Sequence, residues 1–85
     1  MDAQFSRLRW SCRRGMLELD TILAPFFEEE YCGLTDSLQL DFQRLLECSD
    51  LELYRCLLRA EQPADSSLQN ILGVIREKHQ TRRSR

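Results

Sequence analysis

Leu19, Ile22, Leu23, Phe26 and Phe27 recur at intervals of three and four. That spacing places all five on one face of an α-helix. A strand cannot gather them, because its side chains alternate between two faces. A helix with a stripe this wide, including two adjacent phenylalanines, has to bury it against other elements. The stretch from about Met16 to Cys32 is therefore predicted as the central helix, and the rest of the chain must supply its partners.

Four further segments have helical spacing. Phe5, Leu8 and Cys12 define a first helix over about 4–14. Arg13 and Arg14 would then stand in its last turn, where cations suit the helix dipole. Leu38, Phe42, Leu45 and Leu46 define a third helix over about 36–48, capped by Thr35 or Asp36. Ser49-Asp50-Leu51-Glu52 fits a capping box and opens a fourth helix to about Ala60. Leu51, Tyr54, Leu57 and Leu58 are its expected inward residues. Gln62-Pro63-Ala64 interrupts the chain, and Asp65 caps a fifth helix over about 66–79 with Leu68, Ile71, Leu72 and Ile75 inward. Residues 80–85 are read as a disordered basic tail. No segment alternates with period two. The fold class is all-α: one domain, residues 1–79, forming a compact bundle of five short helices.

Pro25 lies inside the central segment. It lacks an amide hydrogen and crowds the carbonyl four residues earlier, so a kink or a restart is expected there. Glu28, Glu29 and Glu30 suit a helix beginning better than a helix end, which favours the restart.

Charge and cysteine usage narrow the function classes. Residues 1–14 hold four Arg against Asp2, a net of +3; residues 15–75 hold three Arg against twelve acids, a net of −9. Residues 76–85 hold five cations against Glu77, a net of +4. A nucleic-acid binder carries its basic face on the folded body, and here that body is acidic. Cys12, Cys32, Cys48 and Cys56 contain no Cys-x-x-Cys pair and are read as small apolar thiols in or near the core. No apolar run approaches the roughly 18 residues of a membrane span. The opening residues lack the apolar run of a secretory signal, so a cytoplasmic chain is expected.

Enzymatic chemistry finds few candidates. Glu18 and Asp20 are two apart and diverge on a helix. His79, the lone histidine, stands near the tail with no candidate nucleophile close by in the sequence, so a triad cannot be assembled. Three scattered glycines make no phosphate loop.

One stretch stands apart: Arg13-Arg14-Gly15-Met16-Leu17-Glu18-Leu19-Asp20, close behind Trp10. It has a plain structural explanation. Gly15 can end the first helix in the left-handed region and also cap the second, with Glu18 reaching back to the cap. An Arg14–Glu18 pair across the glycine would add only about 0.2–0.5 kcal/mol, in the weaker orientation. The alternative is recognition, since an exposed Trp–Arg–carboxylate corner has the composition of an interface hot spot.

Arg14-Gly15-Met16-Leu17-Glu18 resembles the RGxxE motif of the succinate dehydrogenase assembly factors, the flavinylation-factor (SdhE) family. The likeness extends over about residues 7–79. It includes the block Trp10 to Asp20, Pro25-Phe26-Phe27, Tyr31, Phe42 to Glu47, Asp50 and Pro63-Ala64-Asp65, in order. One departure is Cys56, where members often carry tryptophan. It is read as a packing change, and it puts in doubt any partner contact that uses that tryptophan.

The resemblance implies a five-helix factor, not an enzyme. Such a factor binds the flavoprotein subunit of succinate dehydrogenase, or in some bacteria of fumarate reductase. It promotes covalent attachment of FAD to a histidine of that client. No cofactor is expected to be held tightly by this chain, and neither nucleic acid nor membrane insertion is expected. The free factor is expected to be a monomer. Arg14, Gly15 and Glu18 carry the motif, with Trp10, Arg13, Met16 and Asp20 as further partner-binding candidates. Arg14 would offer a planar fork to a client carboxylate or carbonyl. Gly15 would allow close approach, and Glu18 would accept hydrogen bonds. The alternative binding reading is an antitoxin-like or other regulatory module. Direct FAD delivery is a further alternative, and it lacks a dinucleotide fingerprint.

Overall fold

A computed structural model describes residues 3–83, with side chains to Arg82. Five α-helices follow in order: α1 (Ala3–Ser11), α2 (Leu17–Glu30), α3 (Asp36–Leu45), α4 (Asp50–Leu58) and α5 (Gln69–Arg83). Short 3-10 turns, Tyr31–Gly33 and Ser66–Leu68, precede α3 and α5. The described residues contain no strand, so the fold is an all-α bundle.

α2 lies against α1, α4 and α5, as its wide stripe requires. Leu19, Ile22, Leu23, Phe26 and Phe27 are all buried. Phe42 from α3 enters beside them, its ring 5.5 Å from Phe26 and 6.1 Å from Phe27. Leu45, Leu53, Ile71, Leu72 and Ile75 complete the fully enclosed centre.

α2 runs unbroken through Pro25, so the restart is absent. Phe26 and Phe27 hold the downstream half on the core, and their burial offsets the roughly 3 kcal/mol of a helix-interior proline. The acidic run therefore does end a helix. Cations from elsewhere meet it: Arg9 on Glu28 at 2.7 Å, Arg82 on Glu29 at 3.0 Å and Lys78 on Glu30 at 3.7 Å.

α4 is turned relative to expectation. Leu53, Cys56 and Leu57 are buried, Tyr54 is half-buried, and Leu51 and Leu58 are 58% and 40% exposed. Leu53, Cys56 and Leu57 are also spaced three and four apart, so the sequence held two overlapping stripes. Docking on α2 and α5 selects the one with the smaller thiol. Cys56 is thus a core residue.

Three caps follow the sequence. The Thr35 hydroxyl accepts from the Leu38 amide and Ser49 from the Glu52 amide, both at 3.2 Å, while Asp65 accepts from the Ser67 amide at 3.0 Å. α5 extends helically to Arg83, through residues 80–83 of the expected tail, and Arg82 is paired with Glu29 there. Residues 84–85 lie outside the described part.

Candidate functional site: the turn between α1 and α2

α1 ends at Ser11, three residues before Arg14. Cys12 turns inward and is 1% exposed. Arg13 and Arg14 consequently lie beyond the last turn of α1, not within it. Gly15 has φ +84°, the left-handed value expected of it. The shared-cap arrangement is absent, because Met16 is the N-cap of α2 and supplies no side-chain bond. The return contact comes from Asp20, whose carboxylate accepts from the Arg14 amide at 2.6 Å.

The Arg14 side chain turns into the chain, where an outward-facing fork was expected. Its Nε donates to Asp50 Oδ1 at 2.8 Å. Nη1 donates to the carbonyls of Leu46 at 2.8 Å and Ser11 at 3.2 Å, and Nη2 to that of Cys48 at 2.8 Å. Four of the five N–H groups of a guanidinium are therefore engaged within the chain. Helix C-termini leave carbonyls without intrahelical partners and carry partial negative charge. Arg14 satisfies such carbonyls at the ends of α1 and α3, and pairs with the first residue of α4. The Arg14–Glu18 pair considered from spacing gives way to Arg14–Asp50, 36 positions apart.

With Arg14 turned in, the other candidates divide cleanly. Trp10 is 75% exposed at the end of α1. Arg13, Gly15 and Glu18 are exposed as well. Met16 is half-buried and packs against the core, and Asp20 is half-buried beneath the turn. A Cβ added at Gly15 would meet nothing within 4 Å, so no neighbour in the chain requires glycine there for space. Leu17, which sequence reasoning passed over, is 77% exposed. Its place off the α2 stripe was the available signal. Leu17 and Glu18 line a hollow of about 380 Å³ with Thr21, Ile22, Leu58 and His79. Within nine residues around the turn the chain thus exposes an indole, an arginine, bare backbone, a leucine and a carboxylate. These groups suit binding another protein chain.

Burial pushes the Cys12 thiol, directly beneath the turn, up to about 12, only partly opposed by nearby Arg14. Burial also raises Cys48 and Cys56, while Cys32 is exposed, unlike the core placement expected of all four. Thiolates are the reactive form. Iodoacetamide at about pH 8 is therefore expected to label Cys32 first and to spare Cys12 until the chain unfolds. Mass mapping of the labelled peptides checks this, and early labelling of Cys12 would contradict its burial. From about 9 to about 12 the unfolded chain loses the Cys12 proton while the native chain keeps it, so this residue makes stability fall as pH rises through that window.

The family described as the flavinator of succinate dehydrogenase matches residues 6–79. This chain belongs to that family. Among curated relatives, the FAD assembly factor SdhE of Mannheimia succiniciproducens is 46% identical over 72 residues, covering 85% of this chain and 84% of the relative. The SdhE protein of Yersinia pseudotuberculosis is 43% identical over 77 residues, covering 91% and 88%. That of a Serratia strain is 40% identical over 76 residues, covering 89% and 86%. The flavinator match takes in the whole α1–α2 turn and Asp50. Among the described residues, no helix of this flavinator-family chain is long and apolar enough to cross a membrane.

Proposed function

We propose that this chain is an assembly factor that docks on the flavoprotein subunit of succinate dehydrogenase, or of fumarate reductase, and promotes covalent attachment of FAD to it. Family membership supplies the class of client. The observation that carries the site is the exposed turn: Gly15 at φ +84° with open space around it, flanked by exposed Trp10, Arg13 and Glu18. The factor works as a monomer in the cytoplasm and holds the client in a competent arrangement, without transferring protons itself.

FAD belongs to the client in this reading. Dinucleotides are commonly held at a glycine-rich strand-to-helix turn, and the described residues contain no strand. A hollow of about 400 Å³ beside α4 is lined by Glu52 and Glu61 against a single cation, Arg55, an acidic balance that disfavours a pyrophosphate. These features support the reading that the flavin is held by the client.

Deleting the gene is expected to remove most covalent flavin fluorescence from the flavoprotein band of a denaturing gel. Complementation with the wild-type chain restores it. The Glu18→Ala variant is expected to restore less than about a tenth of it. Full covalent flavin in the deletion strain would refute the assignment.

A further inference from the structure

We infer that Arg14 is a positioning residue, and that Asp50 and Asp20 belong with it as the parts of the site that hold the turn in its binding shape. The inference rests on the proposed docking role of the turn and specifies how its motif arginine contributes. Arg14 ties three helix ends together through Asp50, the carbonyls of Leu46 and Cys48, and the carbonyl of Ser11. Its own amide is held by Asp20. The main chain on one side of Gly15 is therefore fixed from two directions, by the α3–α4 connection through the guanidinium and by α2 through the Asp20 carboxylate. On the other side Met16 packs against the core.

The geometry explains why arginine is needed. Diverging carbonyls and a carboxylate require several N–H groups in a fixed plane, which a lysine ammonium cannot supply. It also gives the fixed turn a purpose. Gly15 is free to visit many backbone conformations when unconstrained, and a docking surface that must be ordered at the moment of binding loses affinity. Clamping both flanks makes the φ +84° geometry the resting state, with Trp10, Arg13 and Glu18 already in place around it. The Arg14 side chain is only 17% exposed, so little of it faces a visitor, while the Asp50 side chain that holds it is 43% exposed.

The test measures affinity of the full chain for the purified flavoprotein subunit, at a temperature where each variant is shown by circular dichroism to be folded. Asp50→Asn and Arg14→Lys are each expected to weaken binding by about tenfold or more. The double variant is expected to be no weaker than Arg14→Lys alone, because both break one clamp. Asp50→Glu, which keeps the charge, is expected to recover part of the loss. In the free Asp50→Asn variant, amide NMR signals of residues 13–18 are expected to shift and broaden while those of α5 stay in place. A purely stabilising ion pair would leave the affinity of the folded fraction unchanged. Affinity of Asp50→Asn within twofold of wild type, or additive losses in the double variant, overturns the inference. The docking reading is judged separately by Gly15→Arg: if that variant keeps its affinity, the turn is not the interface at all. If Asp50→Asn fails to fold, Asp20→Ala, which removes the acceptor for the Arg14 amide and leaves the guanidinium contacts in place, is expected to give the same localised NMR change and about tenfold weaker binding. Unchanged binding there also overturns the inference.

Discussion

Gly15→Arg is expected to abolish capture of the flavoprotein while leaving the factor folded. Two effects of the substitution can be separated. Gly15 sits at φ +84°, where any residue with a Cβ is disfavoured by about 1–2 kcal/mol. That strain lowers Tm by roughly 4–16 °C in a domain of this size. It is nearly the same for alanine and arginine, because nothing lies within 4 Å of the added Cβ. A further difference between the two variants must come from outside the chain. Gly15→Ala is therefore expected to melt like Gly15→Arg but to retain much of its binding. Gly15→Arg is expected to lose at least about 100-fold in affinity, because its long side chain occupies the path of an approaching backbone. Melting curves and titrations of both variants supply the comparison. Equal affinities for the two would show that no client chain passes over Gly15.

Phe42→Ala is expected to bring the largest loss of stability. The Phe42 ring is fully buried. It meets Phe26 at 5.5 Å, Tyr31 at 5.6 Å and Phe27 at 6.1 Å, and so ties α3 to the stripe of α2. Removing such a ring costs about 3–5 kcal/mol. A chain of 85 residues has about 4–13 kcal/mol in all. Tm should fall by at least about 12 °C, or the variant should fail to fold. Leu51→Ala is the control, since Leu51 is 58% exposed and its loss is expected to cost under about 0.5 kcal/mol. Had α4 docked with the Leu51 stripe inward, the control would also be costly. The pair therefore checks the rotation of α4 along with the core. A Phe42→Ala chain within about 1 kcal/mol of wild type would contradict the packing around α2.

The turn also shows how adjacent motif residues can take different places in the fold. Arg14, Gly15 and Glu18 are adjacent in the sequence and share one corner of the fold. Glu18 faces solvent, Gly15 bends the chain, and Arg14 points into the chain. Spacing suggested Glu18 as the local partner of Arg14. The carboxylates actually used are Asp20 and Asp50. Asp20 was within reach of a local argument, because it lies one helical turn past the N-cap of α2. Asp50 was not, because its meeting with Arg14 exists only once α3 and α4 have folded back across the end of α1.

What the sequence determined alone is what depends on neighbours along the chain. Helix periodicity, the caps at Thr35, Ser49 and Asp65, and the left-handed bend at Gly15 are local properties of a few residues. They fixed five helices and the burial of Leu19, Ile22, Leu23, Phe26 and Phe27. Tertiary packing decided everything that needed two distant segments to meet. It kept α2 whole through Pro25, chose the Leu53–Cys56–Leu57 stripe over its rival, and set cations against Glu28, Glu29 and Glu30. It also turned Arg14 inward. The physical reason is common to all of these: burial and charge pairing depend on which surfaces come together, and periodicity says only which surfaces are available.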